Sequence, residues 1–181
     1  EDLAYRLIVD RAADTNGGGI DIMKLSRNWN KIEDDVKDVV YRFNPELRKQ
    51  MDLFVKDIDA LSGSTRHAAS KGGLITRSFM PVTQRAKEGS SIKDAMAKSF
   101  LLTGMKFLST KNAGKLLGNA DYVRVLRESL SYKPGGTEHL SAALLRLADI
   151  AKRSNDPDMV EASMEHMLYI DSALNKASGG K

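Results

Sequence analysis

Apolar residues recur every three or four positions along almost the whole chain, which is typical of α-helices that bury one face. No run alternates polar residues with β-branched apolar ones, and no Asn-Gly or Asp-Gly turn joins two such runs. The pattern therefore predicts an all-α protein, a bundle of about seven or eight short to medium helices.

Two helices in the first third of the chain have clear start signals. Asp21 is a candidate N-cap for a helix whose apolar face carries Ile22, Leu25, Trp29 and Ile32, with Trp29 in the core. Asn44-Pro45-Glu46 combines an N-cap, a proline at the first helical position and an acid in the first turn. The helix that it opens has an apolar stripe of Leu47, Met51, Phe54, Ile58 and Leu61, and Ser62-Gly63-Ser64 is predicted to end it.

Weaker signals place the other helices. A first helix is predicted over residues 2–14, and the Gly-, Ser- and Pro-containing segment around residues 62–90 is predicted to be irregular. The later helices are predicted over residues 92–108 with Ser91 as cap, over 113–117, after Asn119, after Thr137, and from Asp156-Pro157 onward. The last helix is expected to bury Val160, Met164, Met167, Ile170 and Leu174.

Charge divides the chain into three sections, which we take as 1–61, 62–133 and 134–181 within one continuous domain or a fragment of a larger protein. Lys and Arg number 10 against 13 Asp and Glu in residues 1–60, 13 against 4 in residues 61–133, and 5 against 7 in residues 134–181. The middle section is thus strongly basic between two acidic flanks. Its candidate polyanion-binding residues are Arg66, Lys71, Arg77, Arg85, Lys87, Lys93, Lys98, Lys106, Lys111 and Lys115.

The basic section has two interpretations of similar weight. Spaced Lys and Arg beside Ser, Thr and Gly suit contacts to DNA or to an anionic membrane surface. Alternatively, these cations pair with the acidic flanks, either within the fold or in a neighbouring copy. Residues 92–108 also have the composition of an interfacial membrane helix, although an apolar stripe in a chain of this size is more typical of a core helix.

No catalytic or metal-binding constellation is recognisable in the sequence. The chain has no Cys, and His67, His139 and His166 lie far apart, so we predict no metal, no cofactor, no small-molecule substrate and no enzymatic activity. His166 is expected to be exposed or to cap a helix. Three neighbouring acids are expected to form a solvated face: Asp34, Asp35 and Asp38.

No signal peptide or membrane-spanning segment is predicted, and the start at Glu1 without Met suggests a piece of a longer protein.

Residues 15–130 resemble helical sections of the internal, ejection-type virion proteins of short-tailed phages. The resemblance lies in the order of several short patterns: Gly18 to Ile32, Asn44-Pro45-Glu46-Leu47, Ser62-Gly63-Ser64-Thr65, Lys115-Leu116-Leu117, and Val123 with Leu126. It implies a protein that is packaged in the virion, expelled through the tail and assembled in the host envelope as part of a conduit for the genome. No lytic or polymerase motif accompanies it, so no enzymatic activity is implied.

The sequence therefore predicts a non-enzymatic structural or interaction protein of a phage particle. It would associate with itself or with other virion proteins, and its basic middle would contact DNA or anionic membrane. Its location would be the virion, with delivery to the host cell envelope. The alternative is a helical adaptor or effector, located in the cytoplasm, that docks an acidic partner protein.

Overall fold

The computed structural model describes residues 9, 11–13, 19–67, 105, 108–131 and 137–178, with backbone alone for 61–67, 131, 137–141 and 173–178. These residues form seven helices: α1 (Ile22–Asn30), α2 (Asp34–Val40), α3 (Pro45–His67), α4 (Thr110–Leu117), α5 (Ala120–Ser131), α6 (Thr137–Arg153) and α7 (Pro157–Ser178). Within this part of the chain there is no β-strand, only an isolated antiparallel bridge between Ala13 and Ile20. The prediction of an all-α protein is confirmed.

Helix α3 is central to the packing. It makes the most extensive helix–helix contact of the fold with α5, and α1 and α2 pack against it as well. Helix α5 also contacts α4 and α6, and α7 packs against α4 and α6. One continuous hydrophobic core joins these helices, and its largest fully buried side chains include Leu25, Trp29, Phe54, Leu116, Tyr122, Leu126 and Leu147.

Side-chain caps fix the helix starts where the sequence predicted them. Asp21 Oδ1 accepts hydrogen bonds from the backbone N–H of Met23 at 2.8 Å and of Lys24 at 3.1 Å. Asn44 Oδ1 accepts from the N–H of Leu47 at 3.1 Å, and Asn119 Oδ1 accepts from the N–H of Tyr122 at 3.0 Å. Each bond satisfies an N–H group that the first helical turn leaves without an intrahelical partner.

The predicted end of α3 at Ser62-Gly63-Ser64 is wrong, because the helix continues through these residues to His67. A Gly inside a helix costs only about 1 kcal/mol relative to Ala, whereas a Pro would interrupt the backbone hydrogen bonds. The segment predicted to be irregular around residues 62–90 is therefore helical over 62–67, and its remainder lies outside the described residues. The section boundary drawn at residue 61 falls inside α3.

The buried face of α7 also differs from the prediction. The helix buries Met159, Ala162, Ser163, His166 and Ile170. Met164 was expected in the core but is 54% exposed, and Leu168 one turn later is 68% exposed. The prediction from hydrophobicity chose the wrong face, because the small or polar side chains of Ala162, Ser163 and His166 are among those buried on α7.

Three further predictions differ at the edges or lie outside the described residues. The helix predicted over 113–117 begins at Thr110, where Ser109 accepts a hydrogen bond from the N–H of Asn112 at 3.1 Å. Of the helix predicted over 92–108, only Met105 and Leu108 are described, and both are buried. Of the helix predicted over 2–14, only residues 9 and 11–13 are described.

Candidate protein-interaction surface

Helix α2 exposes two of its three valines and buries a charged side chain, while the third valine, Val40, is partly buried against the core. The helix reads Asp-Asp-Val-Lys-Asp-Val-Val, and Lys37 is its buried residue. Val36 is 41% exposed, Val39 is 74% exposed, and Phe43, in the turn after the helix, is 88% exposed. An amphipathic helix on a globular core ordinarily has the opposite orientation.

Lys37 can lie inward because two groups close to its ammonium offset its charge. Its Nζ is 3.2 Å from Asp34 Oδ1 on the preceding turn. The same Nζ lies 5.3 Å from the centroid of the Trp29 ring in α1, within the range of a cation–π contact. The buried side of α2 thus accommodates a cation beside the partly buried Val40.

Arg48 of α3 joins the polar side of α2 to the rest of the bundle. Its guanidinium forms ion pairs with Asp38 and, at 3.5 Å, with Asp34. Its Nε lies 3.7 Å from Asp52 Oδ2, too far for a hydrogen bond, while Asp52 Oδ1 accepts one from Trp29 Nε1 at 2.8 Å. We call these residues, with Lys37, the Arg48 cluster: Trp29, Asp34, Lys37, Asp38, Arg48 and Asp52.

Tyr41 completes the attachment at the end of α2. Its ring is buried with its centroid 5.5 Å from that of Trp29, in a tilted arrangement. Burial, with a smaller contribution from the Asp52 charge, raises the pKa of Tyr41 well above its ordinary value. The phenol therefore stays neutral, and it contributes an aromatic contact beside the ion pairs.

These contacts fix the rotation of α2 and leave one apolar surface in solvent. We call the exposed side chains of Val36, Val39 and Phe43 the α2 apolar face. Val36 and Val39 are three residues apart and so lie on one side of the helix, and Phe43 follows in the turn after it. Burying a Val or Phe side chain yields about 1.5–3 kcal/mol, so three exposed ones forgo appreciable stability. Exposed apolar side chains grouped on one surface are typical of binding sites.

Charged groups border the α2 apolar face. Glu33 and Asp35 are exposed, and neither has an ion-pair partner among the described side chains. The guanidinium of Arg42 lies 4.6 Å from the Phe43 ring centroid. Arg42 also lines an open groove of about 470 Å³ between α2 and α3, whose lining includes Tyr41, Pro45 and Leu53. The surface is therefore apolar at its centre and acidic at its N-terminal edge.

Two of the ten predicted polyanion-binding residues have described side chains, and both pair with the acidic start of α7. Lys111 Nζ lies 3.3 Å from Asp158 Oδ1, and Lys115 Nζ lies 2.6 Å from Asp156 Oδ2. The hydrogen bond from Lys115 is the main cause that lowers the pKa of Asp156. At these two positions the basic section meets an acidic flank within the fold. Side chains outside the described set are those of Arg66, Lys71, Arg77, Arg85, Lys87, Lys93, Lys98 and Lys106.

The expectation that His166 is exposed or caps a helix is wrong. His166 is fully buried in α7, and its Nδ1 shares a hydrogen bond with the hydroxyl of Tyr122 in α5, which is also fully buried. Nearby, Asn112 Nδ2 donates to Glu165 Oε2 at 2.6 Å and joins α4 to α7. The histidine has a packing role that its position next to Glu165 in the sequence did not indicate.

The three acids of α2 are exposed as predicted, and two of them, Asp34 and Asp38, pair with Arg48. Over the described ranges, no group of three or more His, Asp or Glu side chains is placed to hold a metal ion. Among the helices described, none is both long and apolar enough to span a bilayer.

No family model, no curated protein sequence and no solved structure matches this chain.

Proposed function

We propose that this chain is a non-enzymatic structural protein that acts by binding other protein chains, and that the α2 apolar face is its binding surface. The observation that carries the proposal is the orientation of α2, with Lys37 buried and Val39 and Phe43 exposed. A helix anchored by its polar side presents its apolar side at no further conformational cost. Such preorganisation favours binding, because fewer groups must be ordered when the partner arrives.

The setting in a phage particle, with delivery to the host envelope, is part of the same proposal. It is supported by the resemblance of residues 15–130 to internal virion proteins, whose role requires helices that pack against other protein chains. Binding of DNA or anionic membrane by the basic section stays a prediction, because most of its candidate side chains lie outside those described.

Photo-crosslinking from position 43 tests the proposed function. With a photoreactive amino acid in place of Phe43, illumination of the protein in its natural host or particle should give one dominant protein adduct. Lys56, exposed on α3, is the matched control position and should give none. Equal, diffuse labelling from both positions, or no protein adduct from position 43, would contradict the proposal. The adduct's mass and peptide map identify the partner.

A further inference from the structure

We infer that the α2 apolar face binds the α2 apolar face of a second copy of this chain, with the two α2 helices antiparallel about a two-fold axis near Val39. The inference rests on the proposed function and names the partner that the function leaves open. In a two-fold contact the same surface serves both copies, so a single surface supplies both halves of the interface.

The charge along this surface changes sign from one end of α2 to the other. Glu33 and Asp35 are exposed at the start of the helix, and Arg42 is exposed in the turn after it. The guanidinium of Arg42 lies 4.6 Å from the Phe43 ring centroid, so this cation borders the α2 apolar face at its Phe43 end. Like the two acids, Arg42 has no ion-pair partner among the side chains that the structure describes. The surface is thus acidic at one end, apolar in the middle and cationic at the other end.

Such a surface is complementary to a second copy of itself when the two helices run in opposite directions. In that arrangement Asp35 of each copy lies beside Arg42 of the other, which gives two equivalent contacts between opposite charges. A parallel arrangement would bring like charges together at both ends, which is destabilising. Charge complementarity therefore selects both the partner and the direction of its helix.

The spacing of the apolar residues fits the same arrangement. Val39, which is 74% exposed, lies three residues after Val36 and four before Phe43. A two-fold axis near Val39 places it against Val39 of the second copy and brings Phe43 of each copy towards Val36 of the other. All three side chains of the α2 apolar face are then covered.

The size of the face sets the expected strength. Stable interfaces bury about 800 Å² on each partner, and a large aromatic side chain buries only about 150–250 Å². Three apolar side chains and two solvent-exposed charge contacts therefore support a weak dimer, which forms reversibly as the concentration of the chain rises.

Sedimentation velocity of the purified chain at low salt, over a range of concentrations, tests the inference through two charge reversals. Asp35→Arg places a cation at each end of the face, and Arg42→Asp places an acid at each end, so each variant repels its own copy. Each should self-associate at least about tenfold more weakly than the unchanged protein. An equimolar mixture of the two variants restores opposite charges at both contacts and should associate to within about threefold of the unchanged protein.

Lys56→Asp is the matched control for Arg42→Asp, because it makes the same change of charge at an exposed position on α3. It should leave self-association near that of the unchanged protein. Val39→Lys places two ammonium groups at the two-fold axis and should also weaken the dimer by at least about tenfold. Circular dichroism of each variant confirms that the helices are retained.

A monomer at every concentration would overturn the inference. So would a mixture of Asp35→Arg and Arg42→Asp that associates no better than either variant alone, or a Lys56→Asp variant that dissociates as readily as Arg42→Asp. These failures are distinguishable from failure of the proposed function. A monomeric chain whose position 43 crosslinks to a different protein rejects the dimer while the binding role stands, whereas the absence of any protein adduct from position 43 rejects the binding role itself.

Discussion

Replacing Trp29 by Ala is expected to lower the free energy of unfolding by about 3–5 kcal/mol, as is typical when a large aromatic side chain is removed from a core. Trp29 is almost completely buried, so the change leaves a cavity beneath α2. It also removes the ring against which Tyr41 packs and over which Lys37 Nζ lies. Asp52 loses its hydrogen bond from the indole N–H at the same time.

Urea denaturation followed by far-ultraviolet circular dichroism measures this effect. Trp29 is the only tryptophan of the chain, so its fluorescence cannot report on the variant. Trp29→Phe keeps an aromatic ring but lacks the N–H donor to Asp52. Its free energy of unfolding should lie between those of the unchanged protein and Trp29→Ala. Lys31→Ala, exposed just after α1, is the control and should change stability by less than about 0.5 kcal/mol. A loss below about 1 kcal/mol for Trp29→Ala would show that this ring does not anchor α2.

Replacing Tyr122 by Phe is expected to cost about 1–3 kcal/mol, the penalty for leaving a buried polar group without its partner. The substitution preserves the ring but removes the hydroxyl that shares a hydrogen bond with His166 Nδ1. Both side chains are fully buried, so water does not readily replace the lost bond. Chemical denaturation at neutral pH gives the difference. Tyr169→Phe, at a more exposed tyrosine on α7, is the control and should cost less than Tyr122→Phe.

The stability of Tyr122→Phe should also depend on alkaline pH differently from that of the unchanged protein. Burial raises the pKa of Tyr122 well above the ordinary 10.0. The unfolded chain loses this phenolic proton at lower pH than the folded chain does. The neutral phenol therefore contributes stability that is complete below about pH 10 and is lost as the pH rises further. Tyr122→Phe has no such proton, so its stability should fall less steeply above this pH than that of the unchanged protein. Parallel profiles would contradict the burial of an un-ionised Tyr122.

The helix starts could be predicted because their signals are local. Asp21, Asn44 and Asn119 each cap their helix through a hydrogen bond to a backbone N–H two or three residues away. Such a bond depends on neighbouring residues and needs no knowledge of the tertiary structure. The end of α3 was missed for the converse reason, since Gly63 weakens a helix without stopping it, and packing decides whether the helix continues.

The candidate surface could not be predicted, because its orientation depends on contacts distant in sequence. Val36 and Val39 of α2 have helical spacing and, from hydrophobicity alone, would face the core. They face solvent because Arg48 lies where it pairs with Asp34 and Asp38. The burial of His166 is similar, since it depends on Tyr122, which is 44 residues away in the chain. The spacing of apolar residues predicts where a helix lies along the sequence. It does not show which side of that helix will bind polar residues that are distant in the sequence.

Thiol labelling tests the exposed α2 apolar face most directly, since the chain contains no Cys of its own. Single-cysteine variants at Val39, at Lys56 and at Val55, which is buried in α3, are labelled in dilute solution. Val39→Cys should react about as fast as Lys56→Cys and far faster than Val55→Cys. Protection of Val39→Cys equal to that of Val55→Cys would show that α2 turns Val39 inward, and would contradict the account.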